Sequence, residues 1–242
     1  MAKIEFNWST LTRDKIFKLC HSLGPYVINK ELTIDEFHTI FKKHLKQYFP
    51  ILITKKFFHK VPFNRISIGG AYYSDYDKNN QKCIQLEAFY NPSFPFLKLP
   101  ASRFKTVCML IADTILHEII HMRQYRRREF KILPDYASAA KKSSQRKEQS
   151  YLGNSDEIDA YGFNIACELY SRFQGNRREI VKHLNKNLKN CRSKNDSWKM
   201  YLKAFDHQHD HVIIKRLKKK IIRYLPYASI GKPYLTTDWI RK

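Results

Sequence analysis

The chain has 242 residues, 43% hydrophobic and 14% aromatic, enough apolar surface to offset the entropy of ordering and to exclude intrinsic disorder as the state of the whole chain. Its formal charge of +23 comes from 45 Lys/Arg against 22 Asp/Glu, a field that attracts polyanions such as nucleic acid or acidic proteins without choosing among them. The longest apolar run, Val107 to Leu116, is ten residues long and contains Asp113, about half of what a membrane-crossing helix needs.

Met1 to Asn7 holds one lysine and no apolar core of the kind a signal peptide requires, so the expected location is cytoplasmic. The five cysteines, Cys20, Cys83, Cys108, Cys167 and Cys191, are scattered, odd in number and never spaced CxxC. That argues for reduced, mostly buried thiols rather than a disulfide framework. Residues 1–50 read as helical. Thr33-Ile34-Asp35-Glu36 forms a capping box that predicts a helix from Ile34 to about Gln47, with Pro50 beyond its end. Ile51 to Lys56 is a candidate first strand. Arg65 to Ser74 reads as a second strand with a Gly69-Gly70 interruption, and Asp75 to Gln81 as a turn. In Cys83 to Tyr90, Ile84, Leu86, Ala88 and Tyr90 alternate with Gln85, Glu87 and Phe89, the period of a strand with one face in a core, and a hairpin is expected.

Ser102 suits an N-cap, and a helix is expected from there to about Arg128, apolar nearly all round as far as Ile120 and basic afterwards. Inside it lies His117-Glu118-Ile119-Ile120-His121. The i, i+4 spacing puts both imidazoles on one helix face, one turn apart, where they can share a tetrahedral Zn2+, and leaves Glu118 beside them as general base. A zinc ion with three protein ligands keeps a position for water and lowers its pKa to about 7, the machinery of peptide hydrolysis. Burying two histidines and a glutamate in an otherwise apolar helix is costly without a partner, and a metal is one that compensates all three. Pro134 to Asn154 reads as a polar connection, and Ser155 to Phe173 as a helix with Ile158, Gly162, Ile165, Ala166, Leu169 and Phe173 on one face. Asn176 to Leu225 reads as two or three basic amphipathic helices, and Pro226 to Lys242 as an irregular tail. In Asp206-His207-Gln208-His209-Asp210-His211, His207 and His211 would stand at i, i+4 if helical, so a second metal site is open there; the alternative is that Asp206 caps the helix that follows.

From about Ile66 to Phe173 the sequence resembles the zincin metallopeptidases, in which a mixed sheet packs on an HExxH helix and a third metal ligand follows further along the chain. The resemblance implies an α+β fold: a small zincin-like mixed sheet on the HExxH helix, N-terminal helices, and a basic helical C-terminal part. The length lies in the range of one large domain or two small ones, and the reading is one domain over residues 1–242, in parts 1–50, 51–173 and 174–242. Asp156-Glu157-Ile158-Asp159-Ala160-Tyr161 looks like the gluzincin pattern, which implies Glu157 as third ligand, Ala160 as the site of close helix approach and Asp159 as orienting a ligand histidine. The competing reading is that Glu157 closes a capping box on Asn154, with His183 as another third ligand. Zincins commonly take an oxyanion donor from outside the motif. Tyr151 and Tyr161 are the candidates, and Tyr161 stands with Glu118 in the catalytic assignment. By analogy, Cys83 to Tyr90 is the edge strand that receives an extended peptide. The implied partner is a protein or peptide substrate, with nucleic acid or another polyanion open on the basic surface. Two rivals remain: an SprT-like protease acting on DNA-associated proteins, which would need a histidine soon after the motif, and an inactive zincin scaffold that binds nucleic acid.

Overall fold

The computed structural model describes residues 6–131, 144–186, 197–229 and 231. The chain divides into two compact units, Met1–Met122 and Arg123–Lys242.

The first unit contains a 3-10 turn (Trp8–Thr10), α1 (Arg13–His21), α2 (Gly24–Val27), β1 (Glu31–Thr33), α3 (Ile34–Tyr48), β2 (Leu52–Phe57), β3 (Ser67–Tyr72), α4 (Ser74–Lys78), β4 (Ile84–Tyr90), β5 (Phe96–Lys98) and most of α5 (Ala101–Arg127). The expected capping box starts α3: the Glu36 N–H donates to Thr33 Oγ1 at 3.2 Å and the Thr33 N–H to Glu36 Oε2 at 2.8 Å. The Thr33 N–H and then the Thr33 hydroxyl, both donating to Glu36 Oε2, hold the Glu36 carboxyl below its usual pKa. Ile34, Phe37, Phe41 and Leu45 then form the buried face of the helix.

The sheet has order β2-β4-β3, with β2 parallel and β3 antiparallel to β4, so it is small and mixed as expected. Ile84, Leu86, Ala88 and Tyr90 are all buried, in step with the alternation in the sequence. Two expectations need correction. β4 is the central strand, paired on both sides, so its backbone cannot add a peptide; β3 is an outer strand. Gly69 and Gly70 do not interrupt β3 but sit in its ladder opposite Glu87 and Leu86. The expected turn after it contains α4, and β1 pairs with β5 in a separate two-stranded sheet.

Helix α5 begins at Ala101, directly after Pro100, whose carbonyl accepts from the Phe104 N–H. Ser102 is therefore inside the first turn rather than the cap. Asp113, the one charge in the apolar run, takes a two-pronged ion pair from Arg13 of α1, at 2.6 and 2.9 Å, with the side chains 17% and 26% exposed. Arg13→Ala leaves the carboxylate partly buried without that pair. It is expected to cost about 1–3 kcal/mol, less than for a fully buried pair, and to lower the midpoint of a thermal melt by roughly 3–10 °C. The four described cysteines are buried and none is assigned to a disulfide. Burial pushes the Cys20 thiol up, and Cys108 to about 12. Cys191 lies outside the described residues.

The second unit contains the end of α5, then α6 (Ser144–Gly153), α7 (Ser155–Arg172), α8 (Arg177–Asn185), α9 (Ser197–Ala204) and α10 (Val212–Ala228). α7 buries Ile158, Gly162, Ile165, Ala166 and Leu169, and α10 packs along it. The two helices approach closely at Gly162: a Cβ there would stand 2.8 Å from Lys220 Cβ. Asp159 accepts from Lys220 Nζ, from the Tyr224 hydroxyl at 3.0 Å and from Gln124 Nε2 at 3.4 Å. It therefore ties helices together instead of orienting a histidine. Pro226 lies inside α10, which continues to Ala228, and part of the expected polar connection is α6. Residues 132–143 and 232–242 are outside the described residues. No helix among the described residues is long and apolar enough to cross a membrane.

Candidate metal centre

The middle of α5 is packed on all sides, with Ile115, Leu116, Ile119, Ile120 and Met122 buried. Within that stretch His117 is 7% exposed, Glu118 6% and His121 7%. One helical turn brings the two rings together, with centroids 4.7 Å apart and the two Nε2 atoms 3.0 Å apart. Ligands about 2.0–2.1 Å from a tetrahedral zinc stand roughly 3.3 Å from each other, so the histidine nitrogens are within a few tenths of an ångström of a shared-ion spacing.

β3 crosses this part of α5 at a glycine. A Cβ on Gly70 would stand 2.7 Å from Glu118 Oε1, 3.0 Å from Glu118 Cγ and 2.5 Å from Thr114 Cγ2, so any side chain there displaces the glutamate. Gly70 is a position against Glu118 that the motif does not contain. Its signal is a glycine inside a strand pattern, which marks a close approach to the backbone.

Glu157 lies in the first turn of α7 and is 3% exposed. Three interactions fix the neighbouring backbone. Asn154 caps the helix by accepting from the Asp156 N–H at 2.8 Å, Arg128 Nη1 pairs with Asp156 Oδ1 at 2.7 Å, and Gln124 donates to the Asp156 carbonyl at 3.1 Å. His117, His121 and Glu157 each offer a ligand atom, and these atoms all lie within 4.8 Å of one another, with all three residues buried. It is the one such group of three His, Cys, Asp or Glu among the described residues. Two imidazole nitrogens and a carboxylate oxygen suit zinc and its first-row neighbours, and a divalent cation offsets the cost of burying these groups together.

The other candidate metal ligands are not part of this group. His183 is on α8, its ring against Phe173 at 5.2 Å. The His207–His211 segment is not helical, and Asp206 and His207 both have positive φ. His211, not Asp206, caps α10, its Nδ1 accepting from the Ile213 N–H, and His209 lies edge-on to Trp198. Tyr151 is 47% exposed. Tyr161, one turn after Glu157 on α7, packs edge-on against Tyr201 at 5.4 Å. The Tyr201 hydroxyl donates to the Leu152 carbonyl, and its pKa is pushed far up by burial and then by Tyr161 and Glu157. No family model, curated protein or solved structure matches this chain.

Proposed function

We propose that the protein is a zinc-dependent metallopeptidase of the gluzincin-like kind, hydrolysing peptide bonds. The observation that carries this reading is the buried His117, His121 and Glu157 group, with Glu118 beside the histidines and beneath an outer strand. Bound there, a zinc ion supplies Lewis acidity toward a water and a substrate carbonyl. His117 and His121 hold it as neutral imidazoles and Glu157 as a carboxylate. Glu118 takes the proton from the attacking water and passes it to the leaving amine. Tyr161 is the proposed donor to the developing oxyanion. The ligand set favours this reading over an SprT-like one, since the third ligand atom comes from a glutamate rather than a histidine.

The substrate class follows from β3. Its outer backbone edge offers main-chain donors and acceptors to an extended peptide, next to Glu118. Gly70→Ala should displace Glu118 by its clash while leaving the ligands in place. The expected result is at least a tenfold loss of kcat with about one zinc still bound, read by a peptide-cleavage assay and elemental analysis of the same sample.

Metal removal tests the reading as a whole. Hydrolysis of an unfolded protein substrate should stop after dialysis against 1,10-phenanthroline and return when zinc is restored to one equivalent. Cleavage that persists in the stripped protein would overturn the assignment.

A further inference from the structure

The positive charge is not evenly distributed. Residues 123–242 hold 28 Lys/Arg against 12 Asp/Glu, whereas residues 1–122 hold 17 against 10. A uniformly lysine-rich composition would load both units alike, so the excess in the second unit needs a local reason. The clearest concentration is α10, which has six Lys/Arg and no acidic residue over its 17 positions.

Two of the six serve the unit itself. Lys220 pairs with Asp159. Lys218 donates to Asn185 Oδ1 at 2.9 Å and lies over the Trp198 ring. The other four, Lys215, Arg216, Lys219 and Arg223, are exposed. At 100° per residue they fall within an arc of about 100°, opposite the buried arc of Ile214, Leu217, Ile221, Tyr224 and Leu225. Lys215, Lys219 and Arg223 stand at i, i+4 and i+8, where like charges cost a helix about 0.2–0.5 kcal/mol per pair. Lys215, Arg216 and Lys219 have no acidic partner among the described residues. The crowding reaches Lys218, whose ammonium pKa is lowered by burial and then by Lys215. Like charges so placed weaken the helix that carries them, and no carboxylate among the described residues compensates Lys215, Arg216 and Lys219.

We propose that the Lys215, Arg216, Lys219 and Arg223 face of α10 binds the phosphate backbone of nucleic acid without regard to sequence. The stripe runs about 12 Å, and each i, i+4 step rises about 6 Å, close to two nucleotide steps of about 3.4 Å on one strand. An acidic protein is the less fitting occupant, because protein interfaces centre on aromatic anchors and are depleted in lysine, and this face carries no aromatic residue, its exposed apolar residues being Val212 and Pro226. The inference does not depend on the peptidase reading.

The test uses the full chain, with fluorescein-labelled 20-nucleotide single strands and 20-base-pair duplexes of mixed sequence, in anisotropy titrations between 50 and 200 mM salt. Micromolar binding is expected, with a strongly negative slope of log K against log salt. The K215Q/R216Q/K219Q/R223Q variant should bind at least tenfold more weakly at 50 mM salt and lose about 3–4 from the slope, at roughly 0.7 per phosphate contact on single strands and 0.9 on duplexes. A charge-matched control in the first unit, K43Q/K46Q/K98Q/K105Q, should keep most of the binding and the slope. The conservative K215R/K219R variant should bind like the native chain, which separates loss of charge from loss of structure. Equal weakening by the two fourfold variants would reduce the effect to net charge and overturn the proposal. Absence of salt-dependent binding would overturn it as well, and poly-glutamate binding as tight as the oligonucleotides would assign the face to acidic protein instead.

Discussion

Alanine at His117 or His121 is expected to reduce bound zinc from about one per chain to below about 0.1, as measured by elemental mass spectrometry on purified, zinc-reconstituted protein. The reason is the small number of ligands. In the proposed centre three protein donors would hold the ion, and removing one would leave two, while changes to residues that only support a ligand already cost 10–100-fold in affinity. Glu157→Ala should follow the histidine variants, because its carboxylate supplies the third donor and the one negative charge of the set. Glu157 decides the reading: zinc retained at full occupancy in Glu157→Ala would show that another group completes the site, and the gluzincin-like assignment would fall.

Glu118→Gln should have the opposite signature, full zinc and almost no turnover. The amide keeps the size and packing of the side chain beneath Gly70 but cannot accept the proton of the attacking water. General-base contributions of about 10²–10⁴ set the expected fall in kcat, with KM little changed. An enzyme variant that kept more than a tenth of native kcat would remove Glu118 from the role of base. The pair of experiments separates holding the metal from using it.

The residues that were readable in the sequence are those whose partners lie within one helical turn or one strand. Thr33 and Glu36 are three apart and cap α3; His117 and His121 are four apart and meet; Ile84 to Tyr90 alternate, and every second side chain is buried. What the sequence did not disclose depends on contacts between distant segments. Alternation identifies the faces of β4 but not its neighbours, so its central place was hidden. Glu157 stands 36 positions beyond His121, so it was named through the resemblance of Asp156 to Tyr161 and not through spacing; what fixes its turn, the bonding of Gln124 and Arg128 to Asp156, was not visible. Asp113 looked like a blemish in an apolar run until Arg13 reached it from α1. β1 and β5, three residues each, are too short to carry a pattern. The histidine segment after α9 failed as a helix because Asp206 and His207 take left-handed backbone angles.

The two adjacent glycines of β3 will not tolerate change equally. A methyl group on Gly69 would meet only the edge of the Phe89 ring, 3.1 Å away, and a ring at the end of a side chain can turn aside. The same group on Gly70 meets the glutamate on which proton transfer is proposed to depend. A library varied at both positions and selected for hydrolysis would therefore drift at 69 and stay fixed at 70, although the two share one strand and one residue type. Selection only for a folded chain would relax both positions, because the clash at 70 displaces Thr114 and Glu118 without opening a core.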